Sequence, residues 1–148
     1  MTTWTSTDTD RFIKEVQLFE TLDEQAHMKL IQRAEVRNFP AGKAVISRGE
    51  TGSSLFVVAQ GEVRVTLEGP KGNLEVSTLK VGDFFGEIAM MTQAHRTATV
   101  TTLTDTLLLE FAAAAILPLL EQFPDFKKHI ARTGVQRSCE SLEKMIED

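Results

Sequence analysis

Cysteine is almost missing from this 148-residue chain, with Cys139 standing alone. One thiol forms no internal disulfide and cannot by itself hold a metal ion or an iron–sulfur cluster, so Cys139 is expected to be a small apolar residue. Positive charge is also short: 16 Lys and Arg face 21 Asp and Glu, the net charge is −5, and the basic residues are scattered. That excludes the electrostatic footprint of a nucleic-acid partner, so any anionic ligand must be held locally. No apolar run approaches the roughly 20 residues that cross a bilayer. The start, MTTWTSTDTD, has neither the basic residues nor the apolar stretch of a secretory signal. Together these absences predict a cytoplasmic protein with no membrane partner. What remains, 42% apolar and 25% charged residues, suits one soluble domain with a real core.

The pattern of that remainder changes twice. Residues 1–10 read as a disordered polar tail. RFIKEVQLFETL then places Phe12, Ile13, Val16 and Phe19 on one helical stripe, and LDEQAHMKLIQRAEVRNF repeats the period with Leu22, Ala26, Leu30 and Ala34, Asp23 marking a helix start. From FPAGKAVISRGE onward, short apolar or alternating runs (AVIS, SLFVVA, EVRVTL, LEVSTL, RTATVTT, DTLLLEF) are separated by turns. Eight of the nine glycines fall between 42 and 86, within this block. AAAAILPLLEQF returns to helix, with a break or kink expected at Pro118, and Pro124 opens a last helix. Helices, about eight short strands, and helices again predict a mainly β fold with flanking helices: an eight-stranded jelly-roll β-barrel with N-terminal helices and C-terminal lid or dimerisation helices. The expected organisation is a domain over 11–130 and a helical extension over 131–148.

Chemistry concentrates in GDFFGEIAMMTQAHRTATV, residues 82–100. Gly82-Asp83 reads as a turn and Phe84-Phe85 as an apolar anchor. Gly86 permits close backbone approach to a ligand. EIAMM is long enough for one helical turn, whose first amides, near Ile88 and Ala89, point at one spot and suit a phosphate. Arg96 offers a planar fork of donors for two phosphate oxygens. Glu87, acceptor-only when ionised, is useful beside an anion only for holding a donor such as a sugar hydroxyl. A phosphate and a hydroxyl side by side suggest a nucleotide. The competing assignments are a Glu87 that serves its own helix dipole and an Arg96 that pairs with Glu87 or Asp83.

FGEIAMM, a short loop and RTATV resemble the phosphate-binding cassette of the cyclic nucleotide-binding domain family. VQLFETLDEQAHMKLIQRAEVRNFPAGKAVISRGETGSSLFVVAQGEVRV resembles that family's opening helix and first strands, with turn glycines at Gly42, Gly49, Gly52 and Gly61. The resemblance covers roughly residues 12 to 130 and implies a non-enzymatic sensor. By it, Glu87 accepts from the ribose 2′-hydroxyl. Arg96 pairs with the cyclic phosphate, helped by the amides of Ile88 and Ala89, and Thr97 and Ala98 line the same pocket beside Gly86. His95 stands where the family usually has proline. Thr97 fits either cyclic purine nucleotide, leaving cAMP favoured and cGMP as the alternative.

The last helix has two halves. Phe126 and Ile130 are expected to face the barrel, while Val135, Cys139, Leu142 and Ile146, spaced 4, 3 and 4 apart, suit a homodimer seam beyond a hinge at Gly134. Ligand binding would then pass through this helix to a downstream effector. Two other classes compete: a degenerate family member serving as a dimerisation or docking scaffold without ligand, and a small-barrel enzyme of the cupin type. The latter needs clustered His and carboxylate metal ligands on neighbouring strands, which the strand block lacks.

Overall fold

The computed structural model describes residues 3–46, 54–69, 72–87 and 98–133. Helix α1 (Ser6–Glu15) begins on Thr5, whose hydroxyl accepts from the Asp8 amide while the Asp8 carboxylate accepts from the Thr5 amide. This reciprocal cap satisfies two donors that a helix start leaves open. Trp4 adds a second tie, donating from Nε1 to Thr9 Oγ1 at 2.7 Å and meeting the Phe12 ring near edge-on. The tail expected to be disordered over 1–10 is therefore helical from Ser6 onward. A short 3₁₀ turn (Gln17–Phe19) leads to α2 (Glu24–Arg33), and Asp23 caps it as its sequence predicts, Oδ1 accepting from the Ala26 amide at 2.8 Å.

Helix α2 stops earlier than its apolar period suggests. Glu35–Phe39, read from sequence as the tail of that helix, is strand β1. Pairing decides the matter: each residue from Glu35 to Phe39 lies opposite one from Glu110 back to Thr106. Arg37 then donates to both Glu110 and Glu35, each at 2.9 Å. Local helical period is a weak preference that a sheet ladder overrides.

The other strands are β2 (Ala44–Ile46), β3 (Ser54–Gln60), β4 (Val63–Gly69), β5 (Gly72–Leu79), β6 (Phe84–Phe85), β7 (Thr99–Thr102) and β8 (Thr106–Ala112). They form two antiparallel sheets, ordered β1-β8-β3-β6 and β2-β7-β4-β5. This is the jelly roll, built as two four-stranded sheets rather than as one continuous closed barrel among the described residues.

Two cores result. Leu55, Val57, Leu107, Leu109 and Phe111 of the first sheet face the helices, where they meet Ile13, Phe19 and Leu30. Phe56, Val58 and Leu108, the alternate residues of the same strands, face the second sheet and meet Val63, Leu79, Phe85 and Val100. The period of two thus sends one strand's side chains into both cores.

Helix α3 (Ala113–Gln122) runs through Pro118, so of the break or kink expected there the break does not occur. Proline removes one backbone donor and crowds the preceding turn, but Pro118 is exposed while Ile116, Leu119 and Leu120 are buried and hold the helix down. A final helix covers 124–133, with Pro124 at its first position, where a missing N–H costs nothing. Phe126 and Ile130 are fully buried, and Phe126 packs 6.0 Å from Phe19. This half of the helix therefore lies in the helical layer behind the first sheet, not over the space between the sheets. Among the described residues no helix is long and apolar enough to cross a membrane.

Candidate functional site

The segment 80–87 is built outward from β3. Lys80 and Asp83 close a turn: the Asp83 amide donates to the Lys80 carbonyl, and the Lys80 amide donates to Asp83 Oδ2, both at 2.9 Å. The turn is then stitched to β3, with the Gly82 amide donating to the Val58 carbonyl and the Val58 amide donating to the Asp83 carbonyl. Strand β6 follows immediately, Phe84 opposite Val57 and Phe85 opposite Phe56.

The two phenylalanines part company. Phe84 joins the core under the helices, where its ring lies 6.1 Å from that of His129 on the last helix. Phe85 joins the core between the sheets and stacks on Phe56, centroids 5.1 Å apart and planes 11° off parallel. The anchoring expected of Phe84-Phe85 is thus present on both faces at once.

Gly86 comes next with φ 93°, a left-handed conformation that a side chain would strain. Glu87 enters helical geometry and is 2% exposed. A carboxylate withdrawn from water this far requires polar partners and suits a site that grips a donor. On the far side, Ala98 is half-buried in a bend, and Thr99 begins β7 opposite Thr66 of β4. Gly86 and Glu87 therefore leave the first sheet, and Ala98 enters the second. Ile88, Ala89, Arg96 and Thr97 lie outside the described residues, as do Gly134 and the seam residues Val135, Cys139, Leu142 and Ile146.

Residues 36–123, more than half of the chain, match the model of the cyclic nucleotide-binding domain. The chain belongs to that family. A cAMP-dependent protein kinase regulatory subunit from Mycosarcoma maydis is 42% identical over 93 residues, 62% of this chain and 17% of that protein. A cyclic nucleotide-gated potassium channel from Rhizobium etli is 31% identical over 127 residues, 86% of this chain and 34% of the channel. The regulatory domain of Toxoplasma gondii PKA, solved with cAMP, superposes with a TM-score of 0.70 at 26% identity, over 76% of this chain and 43% of that one. This cyclic nucleotide-binding domain thus spans about a sixth and a third of the lengths of those two curated relatives. Its kind occurs in regulatory subunits and channels alike.

One residue of the described site was not singled out from sequence. Phe56 sits in an apolar run, SLFVVA, where nothing in composition separates it from its neighbours. Alternation was the available signal, since it places Phe56 and Val58 on one face and Leu55, Val57 and Ala59 on the other.

Proposed function

We propose that this domain is the sensing module of a regulator, that it binds cAMP in preference to cGMP, and that it acts by binding rather than by catalysis. Glu87 accepts from the ribose 2′-hydroxyl. Arg96 and the amides of Ile88 and Ala89 take the cyclic phosphate, while Thr97 and Ala98 line the pocket beside Gly86. The observation that supports this assignment best is the buried Glu87, delivered by a left-handed glycine at the end of a strand fixed on both faces. The preference for cAMP is supported by the relatives named as cAMP-dependent and by the neighbour solved with cAMP.

The energetics are sufficient. Micromolar affinity needs about −8 kcal/mol, and each hydrogen bond to a charged group contributes about 1.5–3 kcal/mol. Calorimetric titration with cAMP and cGMP, repeated on Arg96→Ala, tests the assignment. Loss of a forked pair of such bonds is expected to weaken cAMP binding at least about a hundredfold. Tight binding that survives the substitution would overturn the pocket.

Transmission is proposed to run through the last helix. Its support is the contact between Phe84, three residues before Glu87, and His129. Any displacement of β6 on binding is felt there. The helix would pass it beyond Gly134 to a dimer seam at Val135, Cys139, Leu142 and Ile146, and on to an effector domain or protein.

A further inference from the structure

We propose, resting on the assignment of Glu87 to the ribose hydroxyl, that Phe56 is a positioning residue for that arm of the site and sets how strongly the domain discriminates ribose from 2′-deoxyribose. Strand β6 has only two residues, paired with β3 at Phe56 and Val57. Its upstream end is tied through the turn to the Val58 amide and carbonyl. Its downstream end leads through Gly86, the most freely rotating residue type, directly to Glu87. Between those ends the chain is held by Phe85, which stacks on Phe56 within the inter-sheet core.

The stack has the geometry for this task. Among the described residues the other aromatic pairs are inclined by 44° to 85°, whereas Phe56 and Phe85 lie within 11° of parallel. Both rings are nearly sequestered from water, at 7% and 3% exposure. Phe56 is flanked on its other side by Glu110, which the Arg37 guanidinium holds at 2.9 Å. One row therefore crosses the first sheet on its inner face from Glu110 through Phe56 to Phe85. Consecutive α-carbons are about 3.8 Å apart, so a shift of Phe85 reaches Glu87 within two links. Hydrogen bonds to a hydroxyl are confined to a narrow range near 2.5–3.0 Å, so a displacement of a fraction of an ångström is enough to weaken the grip.

Binding of cAMP and of 2′-deoxy-cAMP to the full chain, measured by calorimetry on the original protein and on Phe56→Leu, Phe85→Leu and Glu87→Gln, tests the proposal. The original protein is expected to favour cAMP by about tenfold or more, the worth of one hydrogen bond to a charged group. Phe56→Leu is expected to bring that ratio close to one by weakening cAMP and leaving 2′-deoxy-cAMP within about twofold, with Phe85→Leu doing the same. A merely structural role for the ring would weaken both ligands equally and preserve the ratio, which would overturn the proposal. If Phe56→Leu fails to fold, Phe56→Met, which fills irregular core space more readily, replaces it. Glu87→Gln separates the two levels. Should it leave the ratio untouched, the ribose assignment falls and the positioning role with it; should it abolish the ratio while Phe56→Leu and Phe85→Leu preserve it, only the positioning role falls.

Discussion

The two sheets of this domain are written differently because they have different neighbours. In the first sheet, β3 and β8 are buried on both faces, and their sequences are nearly continuous apolar runs, LFVVA and LLLEF. In the second, β4 and β7 alternate: Val63 and Val100 are buried in the inter-sheet core, while Arg64 and Thr101, which lie opposite each other, take the other face and are half-buried. A strand apolar on both sides marks the sheet that bears the helical layer. Among the described residues that sheet shares a core with the helices, and Phe84-Phe85 lies on it.

The sharpest way to break this contrast is to truncate a side chain on each sheet. Phe111→Ala, which empties a fully buried site against Phe19 in the first sheet, is expected to cost about 3–5 kcal/mol. Thr101→Ala, on the outer face of the second sheet, is expected to stay within about 0.5 kcal/mol. Urea unfolding measures both, and equal costs would erase the distinction.

A middle-sized effect belongs to the β3–β4 turn, one of those that pass from one sheet to the other. Gly61, between β3 and β4, has φ 88°, and a Cβ there would stand 2.5 Å from the Asp105 carbonyl oxygen and 2.7 Å from Thr106 Oγ1. Gly61→Ala is expected to destabilise the fold by about 1–3 kcal/mol, read from thermal melting. An unchanged melting point would show that the turn yields.

The smallest effect concerns the helical cover of the first sheet. The Thr5 backbone amide and, after it, the Thr5 hydroxyl donate to the Asp8 carboxylate and hold the Asp8 pKa below its usual 3.8. A lowered folded-state pKa gives stability that is present above the unfolded value and is lost as pH falls through the folded one. Carboxyl titration followed by NMR should therefore find the Asp8 midpoint below 3.8, and Thr5→Ala should move it upward.

Much of this was legible in the chain. Strands β3, β4, β5, β7 and β8 stood out because apolar or alternating runs of six or seven residues ended at turns. The Asp23 cap and the Pro124 start were equally plain, since both are local chemistry. Strand β1 was not legible, because EVRNF extends the spacing of α2 and its ladder partner lies about seventy residues away. The start of α1 had a signal in Thr5 and Asp8, spaced as a reciprocal cap, but the surrounding polar residues masked it. At the candidate site, Gly86 and Glu87 drew notice by residue type and by the family resemblance. The Phe56–Phe85 stack beside them was not legible, because the two rings become neighbours only when β6 pairs with β3.

One two-residue strand belongs to both hydrophobic interiors. Phe84 is 4% exposed in the core it shares with the helices, so trimming the chain to a bare sandwich would leave a wet aromatic ring three residues before Glu87. A miniaturised biosensor cut from this domain must keep its helices, however remote they look from the inter-sheet core.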